Sequence, residues 1–131
     1  LQLGNLDAKR DWGHAKDYVE AQWLILQQKK PQDFVISTGK SITIRKFVEK
    51  VLKHLKIKYK WVGKNLNEKC INVQNNKTII KINKKYFRPS EVNSLRGNSN
   101  KAKKVLNWKP KFDINLLIKD MVKNELNDLN K

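Results

Sequence analysis

Apolar positions fall along this 131-residue chain in short bursts separated by lysine and asparagine. The opening "LQLGN" reads as a strand already under way. From residue 14, "HAKDYVEAQWLILQQ" carries Ala15, Tyr18, Val19, Ala21, Trp23, Leu24, Ile25 and Leu26 in a helical pattern. The all-round apolarity of its second half predicts burial on more than one side. Pro31 ends that helix. "DFVISTG", residues 33 to 39, is an apolar run closed by glycine, the pattern of a buried parallel strand. "SITIRKFVEKVLKHLK" repeats Ile44, Phe47, Val48, Val51, Leu52 and Leu55 on one helical face, with Ser41 or Thr43 as its cap. "IKYKWVG" alternates Ile57, Tyr59 and Trp61 against lysines, the period of a half-exposed strand.

Residues 64–78 are polar and read as a loop, and "TIIKIN" is another short strand. "KYFRPSEV", residues 85 to 92, is a loop interrupted by proline. Ser99 is placed to cap a short helix through Leu106, after which "NWKPKF" turns the chain. Asp113 caps a final helix with Ile114, Leu117, Ile118, Met121, Val122 and Leu126 on one side. There is no internal repeat and no linker. Helix, strand, helix and then small mixed elements predict an α/β fold of two unequal lobes.

Composition changes this picture little. The length is one domain's worth, enough for a modest core. The net charge of +17 would by itself suggest nucleic acid or an acidic membrane surface. Yet Arg10, Arg45, Arg88 and Arg96 are the chain's arginines, and its many lysines are spread instead of gathered. Abundant asparagine and isoleucine point to biased genome composition as readily as to selection for binding. Surfaces that read phosphates and bases favour arginine forks and exposed aromatics. Solvated lysine faces are therefore the expectation. A small basic nucleic-acid-binding protein is the rival class, resting on charge alone.

No run of about eighteen apolar residues is present to span a membrane, and no charged n-region precedes an apolar h-region. The single cysteine, Cys70, excludes an internal disulfide and lacks the partners of a zinc site. A reducing cytoplasm is the default compartment. A chain that starts at Leu1 in mid-element is expected to be a piece of something longer.

Nucleophile and metal motifs are missing. There is no G-x-S-x-G, Walker A, H-E-x-x-H or carboxylate dyad, and the five glycines are scattered singly. His14 and His54 read as lone surface histidines, and Cys70 as an inert thiol in a polar loop. Two constellations remain. Asn5, Lys9, Arg10 and Asp11 lie between a strand and a helix, where α/β proteins hold anions. Arg10 could fork onto a phosphate while Lys9 adds a point charge. Equally, Asp11 and Asp17 could satisfy backbone donors, with Lys9 and Arg10 solvated. In "YFRPSEV", Pro89 biases Arg88 toward an extended backbone, and Glu91 follows as an acceptor. That pairing suits either a nucleotide clamp or an Arg88–Glu91 pair at a turn.

Taken in order, "LGNLDAKRDWGHAKDYVEA", "DFVISTG", "IRKFVEKV", "YFRPSEV" and "KAKKVLNWKPK" resemble the C-terminal portion of the GDP-mannose 4,6-dehydratase family. These are extended short-chain dehydrogenase/reductases, and the resemblance spans essentially the whole chain. It implies the C-terminal part of an extended Rossmann-type fold, its last sheet strands plus a small α/β substrate-binding lobe. Residues 1–40 would be the remnant of the Rossmann-like domain with a substrate loop, and 41–131 the small lobe. It also implies that Asn5, Lys9 and Arg10 contact the GDP portion of GDP-mannose, with Arg10 toward the diphosphate. Arg88 would take phosphate and Glu91 the ribose. Trp108 would pack, and Pro110 would stop the preceding helix.

Such enzymes convert GDP-mannose to GDP-4-keto-6-deoxymannose and water with NADP. Their Gly-rich NADP turn and their Y-x-x-x-K, with its accompanying Thr and Glu, have no counterpart here. Tyr18, Tyr59 and Tyr86 lack a lysine four residues on. The expectation is a substrate-binding piece without dehydratase activity of its own, NADP being bound by the missing N-terminal part. A homo-oligomer, dimer or tetramer, is expected of the full enzyme. Neither a membrane nor nucleic acid is an expected partner.

Overall fold

The computed structural model describes residues 1–88 and 90–129. In chain order the elements are β1 (Gln2–Leu3), β2 (Lys9–Asp11), α1 (Ala15–Leu26), β3 (Ser41–Thr43) and α2 (Ile44–His54). They continue with β4 (Tyr59–Val62), β5 (Lys69–Asn72), β6 (Thr78–Ile82), α3 (Asn100–Val105) and α4 (Ile114–Leu129). The fold class is α/β, as the residue pattern predicts. Two compact units form, one from Leu1–Ala8 with Thr43–Asn93, the other from Lys9–Ile42 with Ser94–Lys131.

The first unit is a four-stranded sheet in the order β1-β6-β5-β4 with α2 supplying core residues. β1 runs parallel to β6, while β5 pairs antiparallel with both β4 and β6. Leu52 from α2, Cys70 and Ile80 are buried together, flanked by Val48, Tyr59 and Trp61. The ends of α2 follow from local chemistry. Thr43 accepts from the Lys46 N–H and so caps the first turn. At the other end Lys56 takes a left-handed φ of 57°, its N–H bonding the Lys53 carbonyl and that of Ile57 the Leu52 carbonyl. This paired return closes the helix as a glycine commonly does, and it brings Ile57 onto Leu52.

The second unit packs α1 and α3 around Ala21, Ala102, Leu106 and Trp108. β2 pairs with β3 in a separate two-stranded sheet. Asp113 caps α4, accepting from the N–H groups of Asn115 and Leu116.

Several expectations are overturned. Residues 33–39 form no strand; Phe34 and Ile36 pack on the Ala21–Trp108 cluster, and the N–H groups of Thr38 and Gly39 donate to a carboxylate instead of a neighbouring strand. Residues 64–78 are not all loop, since β5 lies within them. Cys70 is therefore a fully buried core residue, and burial pushes its thiol pKa up. α1 is buried on one side only. Ala21 is buried, but Val19, Trp23 and Leu26 remain 60–80% exposed. Ser99 is buried yet its hydroxyl makes no cap hydrogen bond to α3.

Candidate functional site

In the first unit, the segments "LGN" and "YF" meet. Asn83 N–H donates to the Leu3 carbonyl at 2.9 Å, fixing the register of the two segments. A Cβ at Gly4 would collide with the Tyr86 carbonyl, so only glycine permits this approach. Beside the contact lies a hollow of about 400 Å³ whose walls include Asn5, Asp7, Arg45, Glu68 and Phe87. Asn5 accepts from the Asp7 N–H at 2.9 Å, an Asx turn that shapes the rim.

Arg45 is the best-held charge of this hollow. Its Nη1 and Nη2 donate to the two oxygens of Glu68 at 2.6 and 2.9 Å, and the guanidinium stands 4.8 Å from the centre of the Trp61 ring. The bonds to Glu68 raise its pKa against the opposing effect of burial, so it stays charged. Neither Arg45 nor Glu68 was foreseen as part of a site. The available signal was arginine standing where this chain ordinarily uses lysine, since only arginine makes a two-pronged contact.

Arg88 follows Phe87 directly and is exposed, while Glu91 is half-buried. Pro89, expected to stiffen this loop, lies outside the described residues.

In the second unit, Lys9 and Arg10 are neighbours on β2. Lys9 is exposed, and its carbonyl accepts from the Leu95 N–H at 3.1 Å and from Arg10 Nη1 at 2.8 Å. Asp11 and Asp17 do satisfy backbone donors, but far along the chain rather than locally. Asp11 accepts from Thr38 and Gly39, Asp17 from Lys111 and Phe112.

The cap of α1 is His14. Its Nδ1 accepts from the Lys16 N–H at 3.1 Å, so Nε2 carries the hydrogen and donates to Asp120 at 3.0 Å. The ring stacks on Phe112 at 4.1 Å and is 6% exposed. His14 is thus a buried structural group, contrary to its reading as a surface histidine. The Lys16 N–H at the start of α1 is therefore already used by the His14 ring.

The hydrogen bond from His14 holds the Asp120 carboxyl below the usual aspartate range, burial opposing it and Lys16 assisting. A depressed folded pKa contributes stability that is complete above the unfolded aspartate value of about 3.9, lost as pH falls through the folded value. We expect an NMR titration to give Asp120 a midpoint below that of an exposed aspartate, and His14→Ala to move it upward.

The family model described as GDP-mannose 4,6 dehydratase matches residues 1–121. The chain is 52% identical over 126 residues to GDP-mannose 4,6 dehydratase of Dictyostelium discoideum, covering 96% of this chain and 35% of that protein. To the Homo sapiens protein of the same name it is 52% identical over 122 residues, covering 93% and 33%. The chain therefore spans about a third of the length of the curated relatives it matches. Among solved structures, MoeE5 in complex with UDP-glucose and NAD superposes with a TM-score of 0.75 at 14% identity, over 98% of this chain and 37% of that one. The dTDP-glucose 4,6-dehydratase of Bacillus anthracis in complex with NAD gives 0.69 at 18% identity, over 94% and 33%. At these identities the likenesses show the α/β fold alone.

Proposed function

The chain belongs to the GDP-mannose 4,6-dehydratase family, and we propose that it forms the nucleotide-sugar-binding portion of such an enzyme. The observation that carries this reading is the meeting of "LGN" and "YF" around one hollow, with Asn5 and Phe87 in its walls and Arg88 next along the chain. Beside them the Gln2 and Asn83 side chains, 81 residues apart in sequence, are hydrogen-bonded, so two distant stretches of chain are joined there. In this reading Asn5, Lys9 and Arg10 contact the GDP portion of GDP-mannose, with Arg10 on the diphosphate. Arg88 adds a second cation for phosphate, and Glu91 accepts from the ribose hydroxyls.

The work of these residues is binding and orientation. The singly scattered glycines at 4, 13, 39, 63 and 97 do not fit a dinucleotide-binding turn, and no tyrosine has a lysine four residues on. The NADP of the proposed enzyme is therefore not assigned to this chain's residues. Conversion of GDP-mannose to its 4-keto-6-deoxy product is expected only with the portion that the chain does not span, in a homo-oligomer. Added alone to GDP-mannose and NADP, the chain should give no product.

Titrating GDP against tryptophan fluorescence tests the binding role. Arg10→Ala and Arg88→Ala should each weaken GDP by roughly ten- to 150-fold, the equivalent of losing about 1.5–3 kcal/mol of charge-assisted hydrogen bonding. Unchanged affinity in both variants would rule the clamp out. Binding of duplex DNA that persists at about 200 mM salt would instead favour a nucleic-acid role, because diffuse lysine attraction fades with salt.

A further inference from the structure

We propose that Asp11 is a positioning residue for Arg10, holding the strand from which Arg10 meets its anion; this rests on the phosphate role given to Arg10 above. Asp11 does not cap the adjacent helix. One carboxylate oxygen accepts from the Thr38 N–H at 3.0 Å and the Thr38 hydroxyl at 2.5 Å. The other accepts from the Gly39 N–H at 2.8 Å and, more distantly, the Gly97 N–H at 3.4 Å. Three peptide donors and a hydroxyl thus converge on one side chain from two separate segments. Gly97 is needed for this, because a Cβ there would collide with the Ser37 side chain.

The consequence for Arg10 is geometric. Consecutive side chains on a strand point to opposite faces, so Asp11 facing the 38–39 turn turns Arg10 away from it. The two carboxylate oxygens of Asp11 are taken up by its four donors. At the other end of β2 the Lys9 carbonyl accepts from the Leu95 N–H, and Lys9 bridges to Ser94. Arg10 therefore stands between two anchors, one residue away on each side. A guanidinium carried on a fixed backbone, its Nη1 bonded to the Lys9 carbonyl at 2.8 Å, loses less freedom when an anion arrives, and its affinity rises accordingly.

Asp11→Asn isolates the role. Asparagine keeps one acceptor oxygen for Thr38 but turns its NH₂ toward the N–H groups of Gly39 and Gly97, where donor meets donor. Thr38→Val is the milder second variant, removing the hydroxyl with its contacts to Asp11 and Lys40 while leaving the three peptide donors to Asp11 in place. In the ligand-free chain, Asp11→Asn should speed amide exchange at residues 9–11, 39 and 97 by about tenfold or more while Ile118 in α4 is unaffected. In GDP titrations it should weaken binding by about tenfold in the wild-type background but by less than about twofold in Arg10→Ala, since an effect transmitted through Arg10 vanishes with it. Thr38→Val should fall between wild type and Asp11→Asn in both measurements.

An equal loss of GDP affinity in both backgrounds, or exchange that quickens throughout the unit, would overturn the proposal, since either marks general destabilisation. If Arg10→Ala itself leaves GDP binding intact, the phosphate role of Arg10 fails. The exchange measurement still decides whether Asp11 fixes β2.

Discussion

Trp108→Ala should remove about 3–5 kcal/mol of stability, the range for truncating a buried large aromatic. Trp108 is 2% exposed in a cluster whose other members include Ala21 and Ala102, both fully buried. Alanines have no longer rotamer to swing into a void, so the cavity would stay largely open. The indole also donates from Nε1 to the Asp17 carbonyl at 3.0 Å, tying the "NWKP" turn to α1. Trp108→Phe keeps most of the ring and loses that bond, for a cost of about 1–2 kcal/mol. Urea unfolding followed by far-UV circular dichroism measures both. A Trp108→Ala loss below about 1 kcal/mol would show that the cluster closes over the gap, contrary to the packing seen.

How much of this was legible in the sequence depends on the range of the deciding contact. α2 was readable at its start because Thr43 and its acceptance from Lys46 lie within one turn. The same holds for Asp113 and α4. β5 was hidden because its inward and outward residues, Cys70 and Ile71, make too short an alternation among lysine and asparagine, and its place is set by pairing with β4 and β6. The 33–39 run looked like a strand because it is short, apolar and closed by glycine, and such a run needs its backbone donors satisfied. What satisfies part of them, the Asp11 carboxylate, lies 27 residues earlier.

The candidate site divides in the same way. The cations and the proline loop could be picked out as residue types, but nothing local shows that Gly4 exists to admit the Tyr86 carbonyl. Arg45 and Glu68 are 23 residues apart and find each other only through the sheet. His14 illustrates the converse error. Composition makes a lone histidine a surface residue, whereas its two ring nitrogens are fully used by a helix start and by Asp120.

The second large effect is expected at Asp17. It is 1% exposed, and its two carboxylate oxygens accept from the N–H groups of Lys111 and Phe112, each at 3.1 Å. Asp17→Ala would strand both donors beneath α1, at about 1–3 kcal/mol each, for a total of about 2–6 kcal/mol. Asp17→Asn retains one acceptor and should lose less. The same turn carries Phe112 against the His14 ring. Asp17→Ala should therefore also perturb the His14 ring resonances, a local signature that a global loss of stability alone does not give. Because Trp108 and Asp17 fasten one segment to one helix, the double variant should lose less than the sum of the single losses. If amide exchange at Lys111 and Phe112 stays slow in Asp17→Ala, the carboxylate is not what secures that turn.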